Sequence, residues 1–174
     1  MIGLKTLGVV LIILGFGSYG LMGAQILDKR VQQIRNIRLA MGFLEKEITY
    51  LHTPLTTALT RAAQSIPNPA SMLFSQCAKS LQDRQGATSS EAWKLSLENL
   101  ARVSDLKKED LELLQSVASQ LGTSGVDEQQ KFFRYIEEQL KIQEEKSRHE
   151  LESGRKIRSY GGFILGSTVV LLLL

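Results

Sequence analysis

Between Lys5 and Asp28 no residue carries a charge: TLGVVLIILGFGSYGLMGAQIL, 22 residues in all. A helix of about 20 apolar residues spans the hydrocarbon core of a bilayer. The same stretch holds Gly15-Phe-Gly17-Ser-Tyr-Gly20 after a β-branched run, the literal G-x-G-x-x-G of a phosphate-cradling turn. Such a turn needs further strands alternating with helices to complete a dinucleotide fold. The rest of this chain reads as helix, so no cofactor is expected. Residues 1–27 are expected to form an N-terminal transmembrane helix. Gly15 and Gly20 then serve as small residues that let another helix come close, since lipid gives no hydrophobic drive for helices to associate. A cleaved leader ending at Ser18-Tyr19-Gly20 is the rival reading, but the apolar run continues through Ile26 and Leu27.

A second uncharged stretch, SYGGFILGSTVVLLLL, closes the chain at residues 159–174. As a helix it reaches ~24 Å against a hydrocarbon core of ~30 Å. A C-terminal transmembrane helix here needs a thinned bilayer, with Arg158 snorkelling to the interface and Tyr160 at headgroup level. The alternative is a tail that only dips into the interface. Gly162 and Gly166 make a G-x-x-x-G packing face. Lys29, Arg30, Arg35 and Arg38 follow the first stretch, and Lys146, Arg148, Arg155, Lys156 and Arg158 precede the second. By the positive-inside rule residues 28–158 face the cytoplasm.

Pro occurs three times and aromatics make up 6% of the chain, which favours helices joined by short loops. The net charge is only +3 with both signs interspersed, so nucleic acid is not an expected partner. The lone Cys77 lies on a helical stripe with Leu73 and Leu81 and reads as a small buried hydrophobe.

Six helical pieces follow. Ile34, Ile37, Met41, Leu44, Ile48 and Leu51 form a heptad-like seam, expected to pack on the chain's own returning helix, with a coiled-coil dimer as the alternative. Thr53-Pro54 ends that helix, with Thr53 as cap of the next; Asn68-Pro69 repeats the device. Thr88 and Glu91 form a capping box for the fourth helix. Gly122 caps the end of the fifth, and Ser124 and Asp127 open the sixth. From Gln143 the apolar stripe thins, and Glu144–Arg148 and Glu152–Lys156 are spaced as i,i+4 pairs. The expected fold class is all-α: a six-helix cytoplasmic bundle at 28–158, its 143–158 portion a stalk, flanked by N- and C-terminal transmembrane helices.

No catalytic or metal-binding constellation is evident. His52 falls at a helix end and His149 in a charged run, and neither spacing suits a metal set or a triad. Glu45 and Glu47 point about 200° apart on a helix and cannot act as a carboxylate pair. Glu47, beside Phe43 and Tyr50, is a half-buried carboxylate that satisfies itself locally or holds a cation or a partner's arginine. The chain is expected not to be an enzyme.

EKEITYLHTPLTTAL (45–59) and AWKLSLENLARVSDLKKEDLELLQSVASQLG (92–122) carry a family resemblance over essentially the whole chain. It resembles the stage III sporulation protein AB family of endospore-forming bacteria. That family's cytoplasmic domain is similar to the helical domain of type II secretion F-type platform proteins. The resemblance implies a non-enzymatic scaffold in the mother-cell membrane around the forespore, its bundle in the mother-cell cytoplasm. The partners so implied are the components of a channel complex, including a cytoplasmic ATPase, stage III sporulation protein AA. Glu45, Glu47, Tyr50, Thr53, Pro54 and Leu55 lie in the matching stretch, as candidates for holding the first helix corner and for partner contact. Platform proteins carry two such domains and this chain carries one, which leaves a homo-oligomer open. A membrane-anchored sensor or adaptor with a ligand-binding bundle is the competing reading.

Overall fold

The computed structural model describes the backbone of residues 2–83, 88–121 and 126–173, and side chains within 25–83, 88–121 and 128–154. Among the described residues six helices follow one another: α1 (Ile2–Thr49), α2 (Leu55–Gln64), α3 (Ala70–Gln82), α4 (Ser89–Val103), α5 (Lys108–Val117) and α6 (Val126–Leu173). Among the described residues there is no strand. The chain divides into two compact units, Arg30–Lys146 and the terminal segments Met1–Lys29 with Ser147–Leu174.

Among the described residues no helix is long and apolar enough to cross a membrane. The expected spans at 1–27 and 159–174 lie, apart from residues 25–27, outside the described side chains, as do Gly15, Gly20, Gly162 and Gly166. In the terminal unit Gly154 lets α6 come close to α1: a Cβ added there would lie 3.3 Å from Leu27 Cδ1.

In the central unit the seam of α1 is buried as expected at Ile34, Ile37, Met41 and Leu44, and shares one core with Phe133, Ile136 and Leu140 of α6. The two helices run antiparallel. Arg38 bonds Glu144 at 3.0 Å, Arg134 faces Glu45 at 3.5 Å, and Gln130 donates to the Tyr50 hydroxyl at 2.9 Å. α2 packs on α3, α3 on α4 and α4 on α5. Phe74 of α3 meets Trp93 of α4 edge-on at 5.7 Å, and the indole N–H donates to the Leu114 carbonyl of α5 at 2.8 Å. A buried indole donor needs such an acceptor, so this bond sets how α4 and α5 sit together. Cys77 is fully buried in the same core, which pushes its thiol up to about 12 and leaves it inert.

The expected capping box is present: Glu91 N–H donates to the Thr88 hydroxyl at 3.2 Å, and Thr88 N–H to the Glu91 carboxylate at 2.9 Å. Two other caps are corrected. Pro54 and Pro69, not Thr53 and Asn68, hold the cap positions of α2 and α3, and no side chain caps either helix. Thr53 N–H is drawn back to the Glu47 carbonyl at 2.9 Å, while Asn68 Oδ1 accepts from the Ser71 hydroxyl. Asn68–Pro69 is a cis peptide. Gly122 and Ser124 lie outside the described residues, as does the side chain of Asp127. α5 itself ends at Val117, with Leu121 still buried beyond it.

The expected Glu144–Arg148 pair is replaced by Arg38–Glu144, because Glu144 sits buried on the side of α6 turned to α1. Glu144 and Ser147 are both buried at the start of the 143–158 portion, while Glu145, Lys146 and Arg148 are exposed. Beyond Gly154 its side chains, including that of Lys156, lie outside those described.

Candidate functional site at the α1–α2 corner

The last turn of α1 widens as it ends. Leu51 N–H reaches the Lys46 carbonyl five residues back, and Thr53 N–H reaches that of Glu47 six back. The turn closes through His52, whose φ of 49° lies in the left-handed region. Non-glycine residues adopt that region sparingly, although His is enriched there. The heptad seam therefore stops at Ile48, and Leu51, the last of its expected members, is turned out to 64% exposure beside Tyr50 at 61%. The helix period alone had placed Leu51 inside; the reversal at His52 takes it out.

Glu47 is buried, and Arg61 of α2 bonds its carboxylate at 2.9 Å. The cation or foreign arginine expected as one option at Glu47 is thus matched by an arginine of this chain. Glu45, on the other side of α1, faces Arg134 of α6. Tyr50 is exposed yet tied through its hydroxyl to Gln130. Pro54 is exposed, and Leu55 packs part-buried on the core. The structure thus gathers five of the six candidates around one chain reversal, with Glu45 paired to Arg134 on the α6 side. The corner lies about 30 Å along α1 from Arg30, at ~1.5 Å per residue.

Sequence reasoning missed the ionic joint at the other end of this unit. Arg30 and Asp110 are 1% and 0% exposed and form a two-pronged pair at 2.8 and 3.0 Å. Asp110 also accepts the Lys107 N–H at 2.9 Å, at the start of α5. Gln33 adds a second link, exchanging hydrogen bonds with the side chain and backbone of Asp105. In the sequence Arg30 reads as a membrane-flanking charge. The available signal was its place four residues before Ile34, on the apolar seam itself. Nearby, Lys146 bonds Glu109 at 2.6 Å and holds that carboxyl below its usual range.

Among the described residues no group of three or more His, Cys, Asp and Glu could hold a metal ion. A groove of about 620 Å³ runs between α2 and α3, open to solvent and lined by polar groups such as Thr60, Gln64, Ser71 and Lys79.

The sequence profile of the stage III sporulation protein AB family matches residues 5–174. The chain belongs to that family. It is 33% identical over 171 residues to stage III sporulation protein AB of Bacillus subtilis (strain 168), covering 98% of this chain and 99% of the relative. A solved structure of stage III sporulation protein AB superposes with a TM-score of 0.67 at 32% identity, covering 71% of this chain and 97% of the solved one. This is a sporulation protein, and the all-helical fold is shared with that relative.

Proposed function

We propose that this family member is a non-enzymatic membrane platform of a sporulation-specific, secretion-like channel complex. It sits in the mother-cell membrane around the forespore and docks a cytoplasmic ATPase of the stage III sporulation protein AA kind. The observation that carries this reading is the α1–α2 corner. Tyr50 and Leu51 present large apolar surface to solvent on a backbone pinned by the His52 reversal, Arg61–Glu47 and Gln130–Tyr50. Exposed aromatic and aliphatic side chains on a rigid support make anchors for a partner at low ordering cost. The two uncharged ends of the chain supply the membrane anchors. The α2–α3 groove lies open to solvent instead of enclosing a ligand, which does not favour a small-ligand sensor.

The test is co-purification from detergent extracts of sporulating cells, read by mass spectrometry. Leu51→Glu should abolish capture of the ATPase while leaving membrane fractionation and folding unchanged, because Leu51 contributes nothing to the core. ATPase recovery equal to wild type from Leu51→Glu and Tyr50→Ala chains would refute docking at the corner.

A further inference from the structure

One face of the central unit is unused by the corner. On α1 the residues Gln32, Arg35, Leu39, Gly42 and Lys46 step by 3 and 4 along a single stripe turned away from the core. On α6 the residues Tyr135, Glu138, Ile142 and Glu145 do the same, all of them exposed. Leu39, Tyr135 and Ile142 are 51%, 55% and 49% exposed. Both stripes lie on one outer face, because α1 and α6 meet along their flanks: Arg38 and Glu45 of α1 face Glu137, Glu144 and Arg134 of α6. The α1 half carries Arg35 and Lys46; the α6 half carries Glu138 and Glu145. Among the described residues these four charges have no ion-pair partner within the chain.

We propose that this face binds a second copy of the chain, about a two-fold axis parallel to α1 and α6. Such an axis sets α1 of one copy on α6 of the other, basic stripe on acidic stripe. It also preserves height along the helices, so the register inside one chain fixes the register between two. Glu45 is level with Arg134, Gly42 with Glu137 and Tyr50 with Gln130. Arg35 therefore comes opposite Glu145 of the second copy, and Leu39 opposite Ile142. Lys46 meets Tyr135, a cation over an aromatic face, with Glu138 one turn away. The pairing is isologous, each contact made twice. The other face-to-face two-fold, perpendicular to the helices, lays α1 antiparallel on α1 and brings the basic stripe, Arg35 and Lys46, against the same basic stripe of the second copy. Like charges disfavour it. The chosen axis also leaves residues 30 and 146 of both copies at the same end, as two chains anchored in one bilayer require.

The test uses the full-length chain in nanodiscs or detergent, with the dimer followed by sedimentation. Arg35→Glu alone and Glu145→Arg alone should each weaken the dimer about tenfold or more, and the double variant should return it to within about threefold of wild type. Cross-linking gives an independent reading. Differently tagged Leu39→Cys and Ile142→Cys chains, mixed and treated with a short bis-maleimide, should form a mixed dimer. Leu39→Cys chains alone should form none. The native Cys77 can stay, being buried and inert. The proposal is overturned by a chain that is monomeric at about 100 µM, by a dimer indifferent to both reversals, or by efficient Leu39→Cys homodimer cross-linking. Partner capture by this face without dimerisation also overturns it.

Discussion

His52 shows how one residue sets the exposure of its neighbours. The left-handed conformation costs an L residue about 1–2 kcal/mol, and here it closes the turn in which Leu51 leaves the seam. Glycine removes that strain but loses more freedom on folding, by about 0.5–1 kcal/mol. His52→Gly should therefore stabilise the chain slightly, by about 0.5 kcal/mol, and His52→Val should destabilise it by more than about 1 kcal/mol. Urea unfolding of the three chains checks the order. A valine variant as stable as wild type would mean that the corner does not need the left-handed turn. The sequence places His52 at a helix end, but nothing in it marks the sign of φ. That sign is imposed by where α2 must begin to cover the core.

Between elements, the buried Arg30–Asp110 pair joins α1 to the start of α5. Arg30→Met should cost about 3–5 kcal/mol, since it strands a buried carboxylate. Arg30→Met with Asp110→Leu should recover most of that loss, short of about 1 kcal/mol for the unfilled Lys107 N–H. Equal destabilisation by the single and double variants in urea would show that the charge itself was never the penalty. The α4 cap offers a milder case, in which Thr88→Ala should cost about 1 kcal/mol. Glu91, hydrogen-bonded to Thr88, and Glu109, bonded to Lys146, both titrate below the ordinary value of 4.5. Their support is complete above that value and is lost as pH falls through the lowered folded ones. Thermal melting points should drop on acidification below about pH 4.5, and less steeply in a Glu91→Gln, Glu109→Gln chain. Helix order, the buried seam and the capping box were legible because period and cap spacing are local signals. Arg30 and Glu144 were not, because a polar residue on an apolar stripe reads as a break in the stripe until its partner on another helix is known. Arg30 finds Asp110 80 residues away.

At the scale of the whole molecule, folding and self-association should answer salt differently. The core is apolar, and the deeply buried Arg30–Asp110 pair is shielded from solvent ions. Glu45, Glu47 and Glu144 are also buried in their pairs, whereas Lys108–Glu112, 89% and 61% exposed, and Lys146–Glu109, 50% and 54%, are surface contacts. Such pairs contribute about 0–1 kcal/mol each and are screened once the Debye length shrinks from ~10 Å to ~3 Å. Unfolding free energy should therefore change by less than about 1 kcal/mol between about 0.1 and 1 M salt. The face-to-face dimer depends on Arg35, Lys46, Glu138 and Glu145 meeting across an interface whose apolar centre is small. Its dissociation constant should rise about tenfold over the same range, a change of about 1.4 kcal/mol. Both quantities can be read on the same full-length sample, by urea unfolding and by sedimentation. A dimer that tightens with salt would assign the contact to Leu39, Tyr135 and Ile142 alone, and the charge argument that selects the parallel two-fold would fall with it. The stripes themselves are visible in the sequence. Their meeting on one face is not, since each helix alone leaves open which neighbour lies on its flank, and only the antiparallel register of α1 and α6 sets basic and acidic residues level.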